Sequence, residues 1–256
     1  MHGGVETGRI TVVGSSNVDH YARVEHFPQP GETVMGEDLT IRFGGKGANQ
    51  AFAAARLGAP VEMVGCLGAD EMGHRYRSRF EEEGIGVEGV GSLEGVATGS
   101  AFITLDRSGE NTIVVAPGAN MQLSAEHVRK HAALLGGSFA VVLQNETPDE
   151  ANLEAMRIAR EVGTLVIYNP APWDRKRDRA LEAADVLLVN ESEAEQIPPE
   201  LDLRREGRGR SQTKHLIITR GAAATRCFSG GEPFEVPTVE IDPVDTVAVS
   251  YTHLTL

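Results

Sequence analysis

The chain has 256 residues, 41% hydrophobic and 24% charged, a composition typical of a folded globular protein and not of a disordered one. Its formal net charge of −13 disfavours nucleic acid and anionic membranes as partners, since both require a basic surface. Two cysteines in apolar surroundings, and the lack of any apolar run of membrane-spanning length, predict a cytoplasmic protein with free thiols.

The first half of the chain mixes short strands with two helices. Alternation and turn residues predict strands at 9–14, 21–24, 33–43, 61–65, 100–105 and 111–115, those at 21–24 and 33–43 in a half-exposed antiparallel sheet. The glycine-rich run at 44–47 opens a helix whose apolar residues recur at helical spacing, and Gly58 can end it in a left-handed conformation. A second helix is predicted at 73–83.

The second half of the chain follows a strand–helix rhythm. Strands are predicted at 139–143, 165–168, 186–189, 215–219, 225–228 and 235–239. Thr147 is expected to cap a helix with Pro148 at its first position, and Gly163 to end that helix.

Repeated strand–helix units predict a three-layer α/β/α sandwich around a mostly parallel central sheet. Two β-rich segments, at about 17–43 and 98–116, do not fit inside that sheet, and we expect them to form a small lid. Ligands of open α/β sheets bind beyond the carboxyl ends of the strands, so residues that directly follow strands deserve the most weight.

The most informative stretch is the glycine-rich run FGGKGANQ at 43–50. Consecutive glycines allow backbone to approach a ligand closely, and a helix start offers free N–H groups. The run is not a Walker A loop, because Gly47 stands where that motif requires Ser or Thr. The alternative is a tight turn before an alanine-rich helix.

Polar residues follow several of the predicted strands. Asn17 and Asp19 point to the same side of an extended chain and suit adjacent hydroxyls, although a polar turn is the better explanation of this stretch taken alone. Glu146 precedes a helix start, where a carboxylate is also favourable for structural reasons. The three carboxylates at 191–195 either complement a helix dipole or hold the water shell of Mg²⁺.

Together these stretches resemble the ribokinase family of ATP-dependent sugar kinases. The resemblance rests on seven segments in the family's order, at 14–19, 27–33, 44–50, 144–148, 169–172, 190–193 and 219–221. It implies D-ribose and ATP as substrates, with phosphorylation at O5 of ribose, and Mg²⁺ and K⁺ as cofactors. It also implies a homodimer formed through the lid.

The resemblance further implies roles for individual residues. The sugar hydroxyls would be held by Asn17, Asp19, Gly45, Lys46, Asn49 and Glu146. Asn190 and Glu193 would position the phosphates and, through water, Mg²⁺. Thr219 and Gly221 would line the ATP site, and Asp245 with Thr246 would begin the potassium loop.

The end of the chain departs from the family pattern, which continues Asp-Thr-x-Ala-x-Gly-Asp. Ser250 stands at the glycine position and Tyr251 at that of the aspartate, the family's general base. We expect residues 1–248 to form a kinase domain that lacks the family's closing helices, and 249–256 to be a tail foreign to it. We therefore expect impaired phosphorylation, and an uncovered sheet face that promotes aggregation.

Two alternatives remain open at this level. The substrate could be another sugar or a nucleoside, such as deoxyribose or fructose, because the sequence does not rank pentoses. Alternatively, the chain is a non-catalytic sugar-binding relative, a reading supported mainly by Tyr251.

Overall fold

The computed structural model describes residues 8–174, 178–204, 213–229 and 232–239. Within them the strands are β1 Ile10–Val13, β2 Asn17–Arg23, β3 Leu39–Gly44, β4 Val61–Gly68, β5 Ile85–Leu93, β6 Gly99–Leu105, β7 Asn111–Ala116, β8 Ala140–Gln144, β9 Leu165–Asn169, β10 Val186–Asn190, β11 His215–Arg220, β12 Ala223–Ser229 and β13 Glu232–Val236. The helices are α1 Lys46–Arg56, α2 Glu71–Glu82, α3 Ala125–Lys130, α4 Ala132–Gly136, α5 Asp149–Val162, α6 Asp178–Ala183 and α7 Glu191–Ala194.

The central sheet has nine strands in the order β13-β12-β11-β10-β9-β8-β1-β4-β5. All pairs from β11 to β5 are parallel, and β12 and β13 add an antiparallel edge. The first strand lies between β4 and β8, so the chain order reverses there. Such a reversal opens a crevice at the carboxyl ends of the strands, and this edge of the sheet is where a ligand is expected.

Helices cover the central sheet on two sides, which confirms the predicted three layers. On one side α1 and α2 bury Phe52, Tyr76 and Phe80 against strand residues that include Val12 and Met63. On the other side α3 to α6 form a larger core, whose strand residues alternate with those of the first. Sheet side chains point to opposite faces in turn, so β1 and β4 contribute residues to both cores.

Strands β9 to β11 are less well covered on the α1 side. Their alternate residues Ile167, Leu188 and Ile217 are only partly buried, whereas their neighbours in the opposite core are buried. Among the described helices, α1 and α2 contact β1, β4, β5 and β8. The apolar face of β9–β11 is therefore a place where added packing would stabilise the fold.

A separate four-stranded sheet, β3-β2-β6-β7, forms the predicted lid. The strands predicted at 21–24 and 33–43 pair antiparallel as β2 and β3, as expected, and β6 and β7 are also antiparallel, whereas β2 and β6 are parallel. The parallel pair has a topological reason: between β2 and β6 the chain passes through β3, α1, β4, α2 and β5, and such a long crossover permits parallel pairing.

Two strand predictions near the lid and the sheet edge differ from the structure. The strand expected at 33–43 begins only at Leu39, where Asp38 Oδ1 accepts the Leu39 N–H at 2.8 Å. Before it, the Glu37 N–H still donates to the Arg23 carbonyl at 2.8 Å. The edge strand β5 went unrecognised, because Gly86, Gly89 and Gly91 interrupt its apolar pattern. A Cβ on Gly89 would lie 2.7 Å from a Val64 methyl group, so packing requires this glycine.

The start of α5 also differs from its prediction. Pro148 is the N-cap residue and the helix begins at Asp149, one position later than expected. Thr147 does not cap the helix, because its Oγ1 donates to Asn152 Oδ1 at 3.2 Å. The C-terminal prediction was correct, since Gly163 has a left-handed φ of +79°. None of the described helices combines the length and apolar character needed to cross a membrane.

Candidate active site

The described residues predicted to bind ligand lie at one edge of the central sheet. They follow the carboxyl ends of parallel strands: β1 leads to Asn17 and Asp19, β8 to Glu146, and β10 to Asn190 and Glu193. Thr219 lies at the end of β11, and Gly221 lies in the turn after it with φ +58°. Asp245, Thr246, Ser250 and Tyr251 lie outside the described residues.

The glycine-rich run packs directly against the turn that follows β1. Gly45 has φ +90°, and a Cβ there would lie 2.7 Å from the backbone nitrogen of Asn17. A Cβ on Gly47 would lie 2.6 Å from the backbone nitrogen of Ser15. Both positions therefore require glycine, and their glycines bring the start of α1 into contact with the strand that carries Asn17 and Asp19.

Glu146 joins these two segments. Its Oε2 accepts the Lys46 N–H at 2.9 Å and the Ser15 hydroxyl at 2.5 Å. Gly45, the N-cap residue of α1, has no side chain to cap the helix, so Glu146 supplies the carboxylate that a helix start favours. Glu146 therefore supports the loop in addition to its predicted sugar contact.

Asp19 is a carboxyl group with an unusual pKa. Burial, and secondly the negative charge of Glu146, raise the pKa of Asp19 from 3.8 to about 7. Its Oδ2 fills the space where Gly44 lacks a side chain, 2.0 Å from the ideal Cβ position. This carboxyl changes charge near neutral pH, at the point where sugar hydroxyls are predicted to bind.

Two positioning side chains were missed by sequence reasoning. Asn120 is 1% exposed and donates from Nδ2 to Asn17 Oδ1 at 2.7 Å. Tyr76 is fully buried and donates its hydroxyl to the Gly44 carbonyl. Burial raises the pKa of Tyr76 well above its usual range, and the charges of Asp19 and Glu146 raise it further. No local motif marks either residue, because sheet register and helix packing bring them to the site.

A cleft of about 70 Å³ lies beside the glycine-rich loop. Its lining residues come from α1 and from the ends of β9, β10 and β11: Lys46, Asn169, Ala171, Leu188, Val189, Asn190, Glu193 and Thr219. Lys46, predicted to contact sugar, thus shares one cleft with three residues predicted to bind nucleotide. A larger groove of about 730 Å³, along the outer face of α5, is lined by none of these residues.

Asn190 and Glu193 form a capping box at the start of α7. Asn190 Oδ1 accepts the Glu193 N–H at 2.8 Å, and Glu193 Oε2 accepts the Asn190 N–H at 2.9 Å. Both residues therefore have a structural role as helix caps, since each stabilises the helix start. Capping leaves the Asn190 amide nitrogen and the second Glu193 oxygen outside these two bonds.

The cleft has the donor set of a phosphate and hydrated-metal site: one ammonium group, side-chain amides, a hydroxyl and one carboxylate. Mg²⁺ keeps several waters and is often held by one carboxylate plus substrate phosphates, so a site with Glu193 alone fits it. In the described part of the chain no three His, Cys, Asp or Glu side chains cluster as direct metal ligands.

An open α/β sheet with a small second sheet, and a glycine-rich loop that packs against the strand of Asn17 and Asp19 and also lines a polar cleft at the ends of β9–β11, is an arrangement typical of small-molecule kinases. The model of the pfkB family carbohydrate kinases matches residues 7–249, and the chain belongs to this family. Members of this family are phosphotransferases with an alcohol group as acceptor.

Relatives and solved structures agree with this assignment. A ribokinase from Haemophilus influenzae is 43% identical over 186 residues, which are 73% of this chain and 61%, less than two thirds, of that protein. A ribokinase from Lactococcus lactis is 34% identical over 95% of this chain and 80% of its own length. The Arabidopsis thaliana ribokinase complexed with ribose and ATP superposes with a TM-score of 0.82 at 25% identity, covering 96% of this chain and 84% of that one.

Proposed function

We propose that the chain binds D-ribose and ATP and transfers the terminal phosphoryl group to O5 of ribose. The observation that carries this proposal is the position of Lys46, which opens α1 beside Asn17 and Asp19 and also lines the cleft of Asn190, Glu193 and Thr219. A loop that touches both pockets suits a reaction between their two occupants. The ribokinase relatives, one of them complexed with ribose and ATP, support ribose as the sugar.

The sugar pocket is proposed to consist of Asn17, Asp19, Gly45, Lys46, Asn49 and Glu146. A carboxylate offers only acceptors and can take two hydroxyl protons, so Asp19 suits adjacent hydroxyls of a polyol. Asn49 lies in the first turns of α1, and the backbone of Gly45 can approach the sugar without an intervening side chain. The interlocked backbones hold these groups in place before substrate arrives.

The nucleotide side is proposed to use Asn190, Glu193, Thr219 and Gly221. The Asn190 amide would donate to phosphate oxygens, and Glu193 would hold Mg²⁺ through water. When bound, hydrated Mg²⁺ neutralises phosphate charge, while Lys46 adds a positive charge from the sugar side. We also propose that a K⁺-binding loop begins at Asp245.

The transfer itself is proposed to be slow in this chain. The O5 hydroxyl must lose a proton as it attacks phosphorus, and in this proposal Tyr251 stands at the position of the family's carboxylate base. A positioned base contributes about 10²–10⁴ in rate, and an anion-stabilising donor roughly 10²–10³. Residues 1–248 would then form one kinase domain with the lid at 17–43 and 98–116, and 249–256 a foreign tail.

An ADP-release assay with MgATP tests this proposal against its substrate alternatives. D-ribose, 2-deoxyribose, fructose and a nucleoside are compared at equal concentrations, and ribose is expected to give the highest kcat/KM. The double variant Ser250→Gly/Tyr251→Asp is expected to raise kcat by about 10² or more. A higher kcat/KM for fructose or a nucleoside would reject ribose, and full family-like turnover in the parent chain would reject impairment.

A second candidate function is sugar binding without catalysis, which Tyr251 favours. Calorimetry with ribose and the ADP-release assay separate the two functions. Saturable binding with no ADP release above the rate without sugar, in parent and double variant alike, would establish the binding protein. Sugar-dependent ADP release would exclude it.

We also propose that two copies pair through the outer face of the lid. Strand register aligns Ile41, His20, Phe102 and Val114 in one row across the four strands, and we call these four residues the outer row. Phe102 is 52% exposed and Val114 67% exposed, and the Phe102 ring stacks on His20. Asn17 and Asp19 alternate with this row and face the opposite side, so pairing would leave the sugar pocket's side chains in place.

A further inference from the structure

Asn120 makes three hydrogen bonds in a buried position between the lid and the first turn. It lies in the 3₁₀ turn Gly118–Gln122, which follows β7. Its Oδ1 accepts the Ser16 N–H at 2.8 Å, and its Nδ2 donates to the Ser16 carbonyl at 3.2 Å and to Asn17 Oδ1 at 2.7 Å. One side chain therefore ties the turn after β7 to the start of β2, the lid strand that carries the proposed sugar ligands.

The orientation of the Asn120 amide follows from chemistry, because two of its partners are backbone groups. The Ser16 N–H can only donate and the Ser16 carbonyl can only accept, so a flipped Asn120 amide would lose both bonds. With Nδ2 fixed toward Asn17, the Asn17 atom that meets it must be the acceptor Oδ1. The orientation of the Asn17 amide is thus set by Asn120.

Gly99 provides the space for this contact. It pairs with Asn17 in the β2–β6 register, and a Cβ there would lie 2.2 Å from Asn120 Nδ2 and 2.5 Å from Asn17 Oδ1. Any side chain at position 99 would displace one of the two amides. Three elements, β2, β6 and the turn after β7, are therefore shaped around one hydrogen bond.

We propose that Asn120 is a positioning residue that fixes Asn17 as a hydrogen-bond donor toward the sugar. With Oδ1 engaged by Asn120, Asn17 presents Nδ2 from the face of β2 that also carries Asp19, whose ionised carboxylate only accepts. Two neighbouring hydroxyls, one that accepts from Asn17 and one that donates to Asp19, satisfy both residues, so the pair suits a polyol with adjacent free hydroxyls. This inference rests on the proposed sugar-binding function.

The variant Asn120→Asp tests the inference, because it keeps the size and the acceptor for the Ser16 N–H but has no donor for Asn17. Asn17 would then turn Nδ2 toward the introduced carboxylate and present an acceptor to the sugar. We expect the calorimetric Kd for ribose to rise at least about tenfold, with the Kd for ADP within about twofold of the parent value.

A double-variant cycle distinguishes positioning from a general structural role. If Asn120 acts through Asn17, Asn120→Asp changes the ribose Kd less than about twofold when Asn17→Ala is already present. A similar loss in both backgrounds, or an unchanged ribose Kd in folded Asn120→Asp, would overturn the inference.

An NMR measurement on the parent chain covers the case in which Asn120→Asp does not fold. The side-chain NH₂ resonances of Asn17 are expected to shift on addition of ribose, while those of Asn120 change little. Saturable ribose binding without a shift at Asn17 would overturn this inference and leave the proposed function standing. No ribose binding at all would reject both.

Discussion

Gly45 and Gly58 have nearly the same backbone conformation, with φ of +90° and +87°, in different surroundings. A Cβ on Gly58 meets nothing within 4 Å, whereas one on Gly45 meets the Asn17 nitrogen at 2.7 Å. We expect Gly58→Ala to lose about 1–2 kcal/mol of unfolding free energy through backbone strain alone, with unchanged ribose affinity.

Gly45→Ala carries the same strain plus a backbone clash beside Asn17. We expect a larger loss of unfolding free energy than for Gly58→Ala and a ribose Kd raised at least about tenfold. Denaturant unfolding and calorimetry on both variants measure the two effects. Equal behaviour of the two variants in both measurements would show that the loop does not depend on this contact.

Asp19 links pH to stability and to binding. Folding raises its pKa from 3.8 to about 7, so its contribution to stability is present below pH 3.8 and is lost as pH rises through 7. Asp19→Asn should therefore raise the unfolding free energy more at pH 8 than at pH 5.5. At pH 8 the gain is on the order of a few kcal/mol, since each pKa unit corresponds to about 1.4 kcal/mol.

Ribose binding should show the opposite pH trend. The ionised Asp19 accepts hydroxyl protons best, so the affinity of the parent chain is expected to increase from pH 6 to pH 8, whereas Asp19→Asn binds weakly throughout. Unfolding curves and ribose titrations at these pH values are the test. An equal stability gain at pH 5.5 and pH 8 would mean that Asp19 is ionised in the fold at both.

At the residue scale, the sequence predicts which side chains meet at the site but not what holds them. The motif residues Asn17, Lys46 and Glu146 follow strands or open a helix, and the parallel sheet brings them to one edge. No local motif identifies Asn120 or Tyr76, because strand register and helix packing bring each of them to its hydrogen-bond partner. The sequence likewise does not reveal that Glu146 supports the α1 start.

At the scale of elements, the start of α7 allows the capping role of Asn190 to be tested separately from its proposed role in nucleotide binding. Asp is about as good an N-cap as Asn, so Asn190→Asp should keep the thermal midpoint of the parent chain. Without the amide donor, and with a charge that repels phosphate, its ADP affinity should fall about tenfold. Asn190→Ala should lose about 0.5–2 kcal/mol of stability as well. Full ADP affinity in Asn190→Asp would leave Asn190 with the capping role alone.

The proposed dimer can be tested by a substitution in the lid sheet. Phe102→Asp in the outer row should convert a dimer to a monomer in sedimentation velocity, with little change in unfolding free energy because Phe102 is largely exposed. Val236→Asp is the matched control, since Val236 is similarly exposed on β13 of the other sheet. A monomeric parent chain, or a dimeric Phe102→Asp variant, would contradict pairing through the outer row.

The boundaries of the helices and strands show where the local sequence pattern is sufficient for prediction. Helix α5 ends at Gly163 as expected, because a left-handed glycine stop is a local feature. Strand β5 and the parallel pairing of β2 with β6 depend on distant neighbours: Gly89 in β5 accommodates Val64, and β6 joins β2 only after a long crossover. Neither neighbour lies close by in the sequence, so a prediction from local pattern could not include these two features.

At the scale of the whole molecule, alternating strand and helix signals were sufficient for the three layers and for the edge at which the site lies. The net charge of −13 makes local positive groups necessary for any anionic substrate, and the Lys46 ammonium group beside the cleft is one such group. The first N–H groups of α1, which the sequence predicted to be free, are instead bonded to Glu146 and Ser15. The chemistry of the site therefore depends on one short loop, held by Ser15, Glu146 and Tyr76.

The most direct test is a calorimetric titration of D-ribose into the parent chain, Asp19→Ala and, as a control on the exposed lid hairpin, Asp106→Ala. Saturable one-to-one binding is predicted for the parent and the control. A roughly hundredfold weaker affinity is predicted for Asp19→Ala, because hydrogen bonds to charged groups contribute about 1.5–3 kcal/mol each. Absence of ribose binding to the parent chain, or equal affinity in all three, would contradict a sugar site at this loop.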